Sequence, residues 1–464
     1  MNNSTVAAVS TPYGRGGISV IRISGTDAIT VAEKVFSPLS GKKLSKCQSN
    51  YAVYGEIYSL SAHGKEKTDD GIATVFRAPK SYTGEDTVEI SCHGGILLTE
   101  KILASVFSAG AVPAGPGEFT QRAFLNGKLD LSEAEAVIGL IDAESDEKLR
   151  LSVSHASGVL KRRIDGIYND IMRLLSSVYV GLDYPEEDLE EVSDAEFAKS
   201  LEKIYTELCK TAETYREGKA VSEGVKTVLL GKPNTGKSSL LNALLGEKRA
   251  IVTAIPGTTR DIIEEKVNIG RIILRLSDTA GLRESDDEVE KIGIEMAREK
   301  AKNSDLIIAV FDMSVPADSE DYVLIKEIET HISEGKSVIL ALNKSDSEEL
   351  FDLSLLPKNV PSVKISAKCG DGLDELKKSI SELFVSGEID YTTTAVVANA
   401  RQFSAIESAR AAVGRALEAQ KSGVMADTCG LDLEKALESL GEVDGRSVAS
   451  DITDMIFHNF CVGK

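Results

Sequence analysis

The chain of 464 residues is short of several things, and each shortage excludes a class of protein. No run of ~18 apolar residues occurs, so no membrane-spanning helix is expected. The first residues, MNNSTVAAVSTPYGRGG, lack a basic segment followed by an apolar core, so no secretory signal is expected. The six cysteines (47, 92, 209, 369, 429 and 461) are scattered, with no C-x-x-C pair. That pattern fits a reduced cytoplasm and argues against a cysteine-rich zinc module. Five scattered histidines suggest no metal cluster. Positive charge is scarce too: a net charge of −20 excludes a generally basic nucleic-acid-binding surface. Any RNA contact must use a local patch. Lys161, Arg162 and Arg163 form the best cluster, although a solvated helix face explains them more simply.

What is present is organised around residues 225–239, VKTVLLGKPNTGKSS. An apolar strand-like run leads into Gly231, Gly236, Lys237 and Ser238 at the G-x-x-x-x-G-K-[ST] spacing of a phosphate-binding loop. The glycines let the backbone curl so that N–H groups face phosphate oxygens, and the helix that follows adds its positive end. Lys237 reaches the β- and γ-phosphates in such loops, and the Ser238 hydroxyl sits on Mg²⁺.

A prior of ~150 residues per domain suggests about three domains. Residues 1–125 alternate β-branched runs (5–9, 18–23, 51–58, 72–76, 88–90) with helical spacing at 26–36 and 96–108, as in a small α/β domain. Residues 126–220 are helical, opening on a capping-box pattern at Ser132 and Glu135 and broken by the acidic run after Pro185. From 221 to 384, strands at 225–230, 262–268, 272–277, 306–311, 337–342 and 362–366 alternate with helices, which predicts a mostly parallel sheet covered on both faces. Residues 385–464 return to helix. So short a helical piece is marginal alone, so it is expected to pack on 126–220, leaving the nucleotide domain as an insertion.

The base is read from Asn343-Lys344-Ser345-Asp346. A carboxylate at Asp346 can accept from guanine's N1–H and exocyclic amine, a donor pair that adenine lacks. Ser366-Ala367-Lys368 follows the next strand, where a backbone N–H can reach guanine O6. Asp278-Thr279-Ala280-Gly281 offers a carboxylate to Mg²⁺ through water and a Gly281 amide to the γ-phosphate. Gly257-Thr258-Thr259 lies between, where a threonine can complete Mg²⁺ coordination only while the γ-phosphate is present, making the segment a switch. The expected GTP-binding set is Asn234, Thr235, Gly236, Lys237, Ser238, Ser239, Thr253, Ala254, Ile255, Pro256, Gly257, Thr258, Thr259, Asp278, Thr279, Ala280, Gly281, Asn343, Lys344, Asp346, Ser366, Ala367 and Lys368.

Leu282 stands where many small GTPases carry a water-orienting glutamine, and leucine cannot do that work. Glu284 is the nearest side chain able to, unless it is an ordinary glutamate of an acidic loop. An arginine finger is also missing. Asn234 offers an amide oxygen toward the phosphates, and with carbonyls of Thr253, Ile255 and Thr258 it can cage a large, weakly hydrated cation such as K⁺; its simpler role is that of a turn residue.

Along its whole length the chain resembles the tRNA-modifying GTPase family MnmE (TrmE). The anchors are GRGGISVIRISG (14–25), SYTGED (81–86), GPGEFTQRAFLNGKLDLSEAEAV (115–137), the nucleotide motifs and FCVGK (460–464). The resemblance implies an N-terminal tetrahydrofolate-binding α/β domain that dimerises, a helical domain and an inserted Ras-like G domain. It implies a homodimer acting with a FAD-dependent partner of the MnmG (GidA) type, in a heterotetramer, on the wobble uridine of certain tRNAs. An aminomethyl-type group is installed at C5, its carbon supplied by a 5-formyl or 5,10-methylene tetrahydrofolate. GTP hydrolysis in the family is K⁺-stimulated. By match of motif, Asn234, Thr253, Ile255 and Thr258 correspond to the K⁺ site, Ser238 and Thr259 to the Mg²⁺ ligands, and Glu284 to the water-orienting glutamate. Arg22, Glu85, Lys128 and Lys464 correspond to the folate site; without the resemblance Arg22 and Lys128 read as surface charges. Cys461 is a candidate for a chemical role, or simply a packed residue. A rival from another class is a GTP-dependent binding switch, such as a ribosome-assembly GTPase, which would not need to bind a reduced folate.

Overall fold

The computed structural model describes residues 4–61, 64–183, 193–247, 264–277, 298–385, 387, 389–423, 426–448, 450–458 and 460–463. The chain divides into two compact units: residues 1–138 with 441–464, and residues 139–440.

The first unit is built on β1 (Val6–Val9), β2 (Ile18–Ser24), β3 (Phe36–Pro38), β4 (Tyr51–Ser61), β5 (Gly64–Phe76), β6 (Thr87–His93) and β7 (Val112–Pro113). They form one sheet in the order β3-β4-β5-β6-β2-β1-β7, antiparallel except where β1 meets β7. Helices α1 (Ala28–Val35) and α2 (Ile96–Ser108) cover one face. Ile29, Val31, Ile102 and Val106 bury against Ile21, Ile23, Ile57, Val75 and Ile90. β5 begins eight residues before the expected 72, because its polar half pairs with β4 as an exposed ribbon held by Lys67 with Glu56 and Asp70. Helices α3 (Glu118–Leu125) and α4 (Leu131–Ile141) follow.

The capping box expected at Ser132 and Glu135 lies two residues earlier. The Glu133 amide donates to Asp130 Oδ1 (2.7 Å), and the Asp130 amide donates to Glu133 Oε2 (2.8 Å). Ser132 is buried and donates instead to the Val443 carbonyl. The chain's last segment completes this unit: Phe457 and Phe460 pack with Leu131, Ala134 and Phe124. Burying each ring contributes roughly 2 kcal/mol.

In the second unit α5 (Asp146–Ala156), α6 (Val159–Asp183), α7 (Asp194–Glu213) and α8 (Tyr215–Ser222) lead into the sheet. The helical stretch expected over 126–220 is cut, ahead of Pro185, at Ser145, an N-cap, and at Gly158, whose φ of +72° ends a helix. Next come β8 (Val225–Leu230), α9 (Lys237–Glu247), β9 (Glu264–Asn268), β10 (Ile273–Ser277), β11 (Leu306–Asp312), α10 (Ser319–Ser333), β12 (Ser337–Asn343), β13 (Ser362–Lys364) and α11 (Leu373–Phe384). The strand order is β13-β12-β11-β8-β10-β9, parallel except for β9. Buried on both faces, β11 and β12 are almost wholly apolar, as such strands must be. One core cluster joins the sheet to the helical residues Leu151 and Val221 and to Val396 in the segment that follows α11, and a second lies on the other face around Phe311 and Ile328. The unit closes with α12 (Ala400–Lys421), packed on α7. Helices α13 (Gly430–Asp444) and α14 (Ser450–His458) lead the chain back to the first unit.

Candidate active site

Strands β8, β10, β11, β12 and β13 run parallel, so their carboxyl ends reach one edge of the sheet. There, in open α/β sheets, ligands bind. At that edge β8 delivers residues 231–236, β10 ends at Ser277, β12 delivers 343–346 and β13 leads to 366–368.

The loop after β8 has two left-handed residues, Asn234 (φ +60°) and Gly236 (φ +93°). Asparagine tolerates that region better than most side chains. At Gly231 a Cβ would stand 2.6 Å from the Val310 carbonyl, and at Gly236 it would stand 2.1 Å from Asn343 Nδ2. Only glycine lets the loop lie so close to β11 and β12. Thr235 is buried and donates to the Lys232 carbonyl (3.0 Å). Lys237 opens α9, and its ammonium donates to the carbonyls of Gly231 (2.9 Å) and Lys232 (2.7 Å), holding its charge against the loop. Ser238 and Ser239 occupy the first turn of α9, where the helix dipole favours an anion. Lys232 is tied to α10 through Asp318 (2.8 Å) and the buried Asp321 (2.6 Å).

Asn343 joins three motifs. Its Nδ2 donates to the Thr235 carbonyl (2.7 Å), and its Oδ1 accepts from the Ala367 amide (3.0 Å). The buried Ser366 hydroxyl donates to Asp346 Oδ1 (2.7 Å). That hydrogen bond holds the exposed Asp346 carboxyl below its ordinary value, keeping it an anionic acceptor. Lys344, at φ +65°, pairs with Asp312 (2.6 Å). Burial alone would raise the Asp312 carboxyl, but hydrogen bonds from Lys344 and Ser314 hold it below the usual range. The phosphate loop, the 343–346 segment and the 366–368 turn are thus one hydrogen-bonded piece.

Thr253, Ala254, Ile255, Pro256, Gly257, Thr258 and Thr259 lie outside the described residues. So do Asp278, Thr279, Ala280, Gly281, Leu282, Glu284 and Lys464.

In the first unit, Arg22 on β2 pairs with its cross-strand neighbour Glu89 (2.8 Å) and lies over the rings of Tyr82 and Phe119. Glu85 accepts from Ser24 (2.9 Å) and from Arg122 Nη1 (3.1 Å). Lys128 donates to the Pro79 carbonyl (3.0 Å) and lies beside Gly84, in the same loop as Glu85. The Gly117 amide donates to the Cys461 carbonyl (3.3 Å), Pro116 bridges to Val462, and Ser10 donates to the Gly463 carbonyl (2.9 Å). The terminal segment therefore runs beside Phe119's helix, with Cys461 exposed. Sequence reasoning missed Arg122, which is buried between Glu85 and Glu118 and also reaches the Ser4 carbonyl. Its only signal was its place among the anchors at 115–137. The basic cluster on α6 is engaged locally: Arg162 donates to the Ser157 carbonyl and Arg163 pairs with Glu207.

A phosphate loop whose lysine opens a helix, joined through Asn343 to the segment that carries Asp346, is the arrangement of a P-loop nucleotide-binding protein. Two family models match: "GTP-binding protein TrmE N-terminus" over residues 5–128 and "MnmE helical domain" over 131–461. The tRNA modification GTPase MnmE of Geobacillus thermodenitrificans is 41% identical over 464 residues, covering 99% of each chain. That of Clostridioides difficile is 40% identical, covering 100% of this chain and 99% of its own. Among solved structures, Era of Aquifex aeolicus bound to GDP·AlF4⁻ aligns at 27% identity over 40% of this chain and 66% of its own. Its TM-score is 0.26. The chain belongs to the MnmE family of tRNA modification GTPases.

Proposed function

We propose that the protein is a K⁺-stimulated GTP hydrolase that acts with a FAD-dependent partner to modify the wobble uridine of certain tRNAs at C5. The observation that carries the nucleotide half is Asn343, which fastens the phosphate loop to the segment bearing Asp346. Binding guanine there lets the Asp346 carboxylate accept two hydrogen bonds; adenine would leave that charge unpaired at a cost of about 1–3 kcal/mol. Lys237 and the amides of 234–238 hold the β- and γ-phosphates. Ser238 with Thr259 would hold Mg²⁺, and Asn234, with the carbonyls of Thr253, Ile255 and Thr258, would hold K⁺. The left-handed turn at Asn234 and the hydroxyl in the first turn of α9 fit those assignments. The two ions would supply positive charge to the oxygens of the transferred phosphoryl group. Glu284 orients the attacking water, the work that Leu282 cannot do.

The folate half rests on the first unit. Arg22, Glu85, Lys128 and Lys464 would hold a 5-formyl or 5,10-methylene tetrahydrofolate, whose carboxylates suit the cations and whose pterin donors suit Glu85. A homodimer, a heterotetramer with the MnmG-type partner and a cytoplasmic location complete the proposal. It is supported by six free cysteines, and by the finding that no helix of the described residues is long and apolar enough to cross a membrane. Two measurements test it. GTP turnover is expected to be faster in KCl than in NaCl; equal rates would remove the K⁺ role. Mass analysis of tRNA nucleosides from cells lacking the protein is expected to reveal an altered wobble uridine; an unchanged one would overturn the assignment.

A further inference from the structure

Positive charge is scarce in this chain, yet one part of the first unit gathers it. Residues 34–55 contain Lys34, Lys42, Lys43 and Lys46 and no aspartate or glutamate; residues 71–84 contain Arg77 and Lys80 and again no acid. The fold brings the two stretches together. Leu44 is buried in the core of the sheet and its helices, which pins the short turn Leu44–Lys46 and leaves Lys42, Lys43 and Lys46 exposed. The Arg77 guanidinium donates to the carbonyls of Ser45 (2.6 Å) and Cys47 (3.5 Å), so that turn lies against the 77–80 segment. The Lys80 amide closes this segment on the Arg77 carbonyl (2.8 Å), and the Lys128 ammonium reaches the Pro79 carbonyl (3.0 Å). Lys42, Lys43, Lys46, Arg77, Lys80 and Lys128 are therefore one contiguous group. Three carboxylates adjoin it, and each is engaged. Glu33 accepts from the Ser45 amide (2.7 Å), Asp86 from the Ala78 amide (2.9 Å), and Glu85 from Ser24 and Arg122. Lys42, Lys43, Lys46 and Lys80 make no ion pair among the described residues. The cations outnumber the carboxylates there, in a chain whose net charge is −20. Tyr51, 64% exposed, opens β4 opposite Val75, two residues before Arg77.

We propose that this surface docks the phosphate backbone of tRNA, with Lys42, Lys43, Lys46 and Lys80 on phosphates and the Tyr51 ring against an unstacked base. Phosphates that meet such lysines release condensed counter-ions, and that release drives binding. A single-stranded loop offers phosphates and unstacked bases together, the combination that lysines beside an exposed ring recognise. The basic cluster on α6 offers less, since Arg162 is held by the Ser157 carbonyl and Arg163 by Glu207. The group ends at Lys128, in the candidate folate site, so RNA lying along it passes the proposed source of the one-carbon unit. The inference rests on the proposed action on tRNA and adds where the RNA sits.

The test measures binding of the full chain, with GDP and Mg²⁺, to a fluorescent, unmodified tRNA transcript with uridine at its wobble position, over a range of KCl concentrations. Lys42→Gln, Lys43→Gln and Lys46→Gln combined should weaken binding about tenfold or more and flatten the slope of log K against log salt by about 2 to 3. Lys80→Gln alone should flatten it by about 1. Tyr51→Ala should weaken binding about tenfold with the slope unchanged, and Tyr51→Phe should restore it. Arg162→Gln, on α6, should change neither quantity. GTP turnover without tRNA stays at the wild-type rate in every variant, showing that each folds. Equal binding and slope in the wild type and the lysine variants would overturn the inference, as would no binding by the wild type at about 50 mM salt. Polyglutamate competing as well as RNA of equal charge would overturn it too, marking an acidic protein as the partner. The action on tRNA is judged separately by the nucleoside analysis: an altered wobble uridine alongside unaffected lysine variants sinks the docking surface alone.

Discussion

In the phosphate loop most contacts are made by main chain: carbonyls of 231 and 232 hold Lys237, and the Thr235 carbonyl holds Asn343. In the first unit the candidate folate residues Arg22 and Glu85 and their ion-pair partners work through side chains from separate elements. Arg22 is on β2, Glu89 on β6, Glu85 in the loop between β5 and β6, and Arg122 on α3. The two regions store charge differently. One presents oriented dipoles on a contiguous string of residues. The other holds pre-formed ion pairs that a ligand must join or displace. A dipolar site tolerates little change of shape, and an ion-paired one tolerates little change of charge.

The contrast can be broken most sharply at the reacting water. Glu284→Ala should lower GTP turnover by roughly 10²–10⁴-fold while GDP affinity stays near wild type. Single-turnover kinetics with equilibrium binding separate the two effects, and an equal loss in both would remove the role assigned to Glu284. Gly236→Ala tests shape alone. The added Cβ meets Asn343 Nδ2 at a left-handed position, so nucleotide affinity should fall about a hundredfold with no charge altered. A fluorescent guanine nucleotide measures it, and unchanged affinity would show that the loop relaxes.

Arg122→Ala tests the ion-paired region. It strands Glu85 and Glu118, both partly exposed, and should cost about 2 kcal/mol, seen as a lower Tm with nucleotide affinity unchanged. Restoring stability with Lys would mean that charge, not the guanidinium fork, is what matters. The smallest effect concerns acid. Asp312's carboxyl is lowered in the fold, so its pairing with Lys344 contributes fully above the ordinary value of 3.8 and is lost as pH falls through the lowered one. Asp312→Asn should remove that component, reducing the acid-side slope of Tm against pH below about 4 by less than 1 kcal/mol in free energy.

The same contrast explains what could be read in advance. The nucleotide motifs were legible because a loop that binds through its backbone needs glycines at fixed spacing. The strands around it were legible because burial on both faces demands continuous apolar runs. The polar half of β5 was not, since an exposed ribbon needs no apolar residue. The α4 cap was ambiguous in the letters themselves: Asp130-x-x-Glu133 and Ser132-x-x-Glu135 both fit the pattern. The choice is made by the Val443 carbonyl, which claims Ser132 from 311 residues away. The Arg122 bridge was hidden for a related reason, since its partners come together only once β6, α3 and the Ser4 segment are in place.

Ser132's bond to Val443 and the packing of Phe457 and Phe460 on Leu131 also bear on how the protein is made. The first unit is the first to leave the ribosome, yet its core is closed by side chains translated after the whole nucleotide domain. During synthesis it must wait with Phe124 and Leu131 uncovered while the second unit folds. A chain stalled or cut anywhere before residue 457 would leave that apolar face open, a ready target for chaperones or for aggregation.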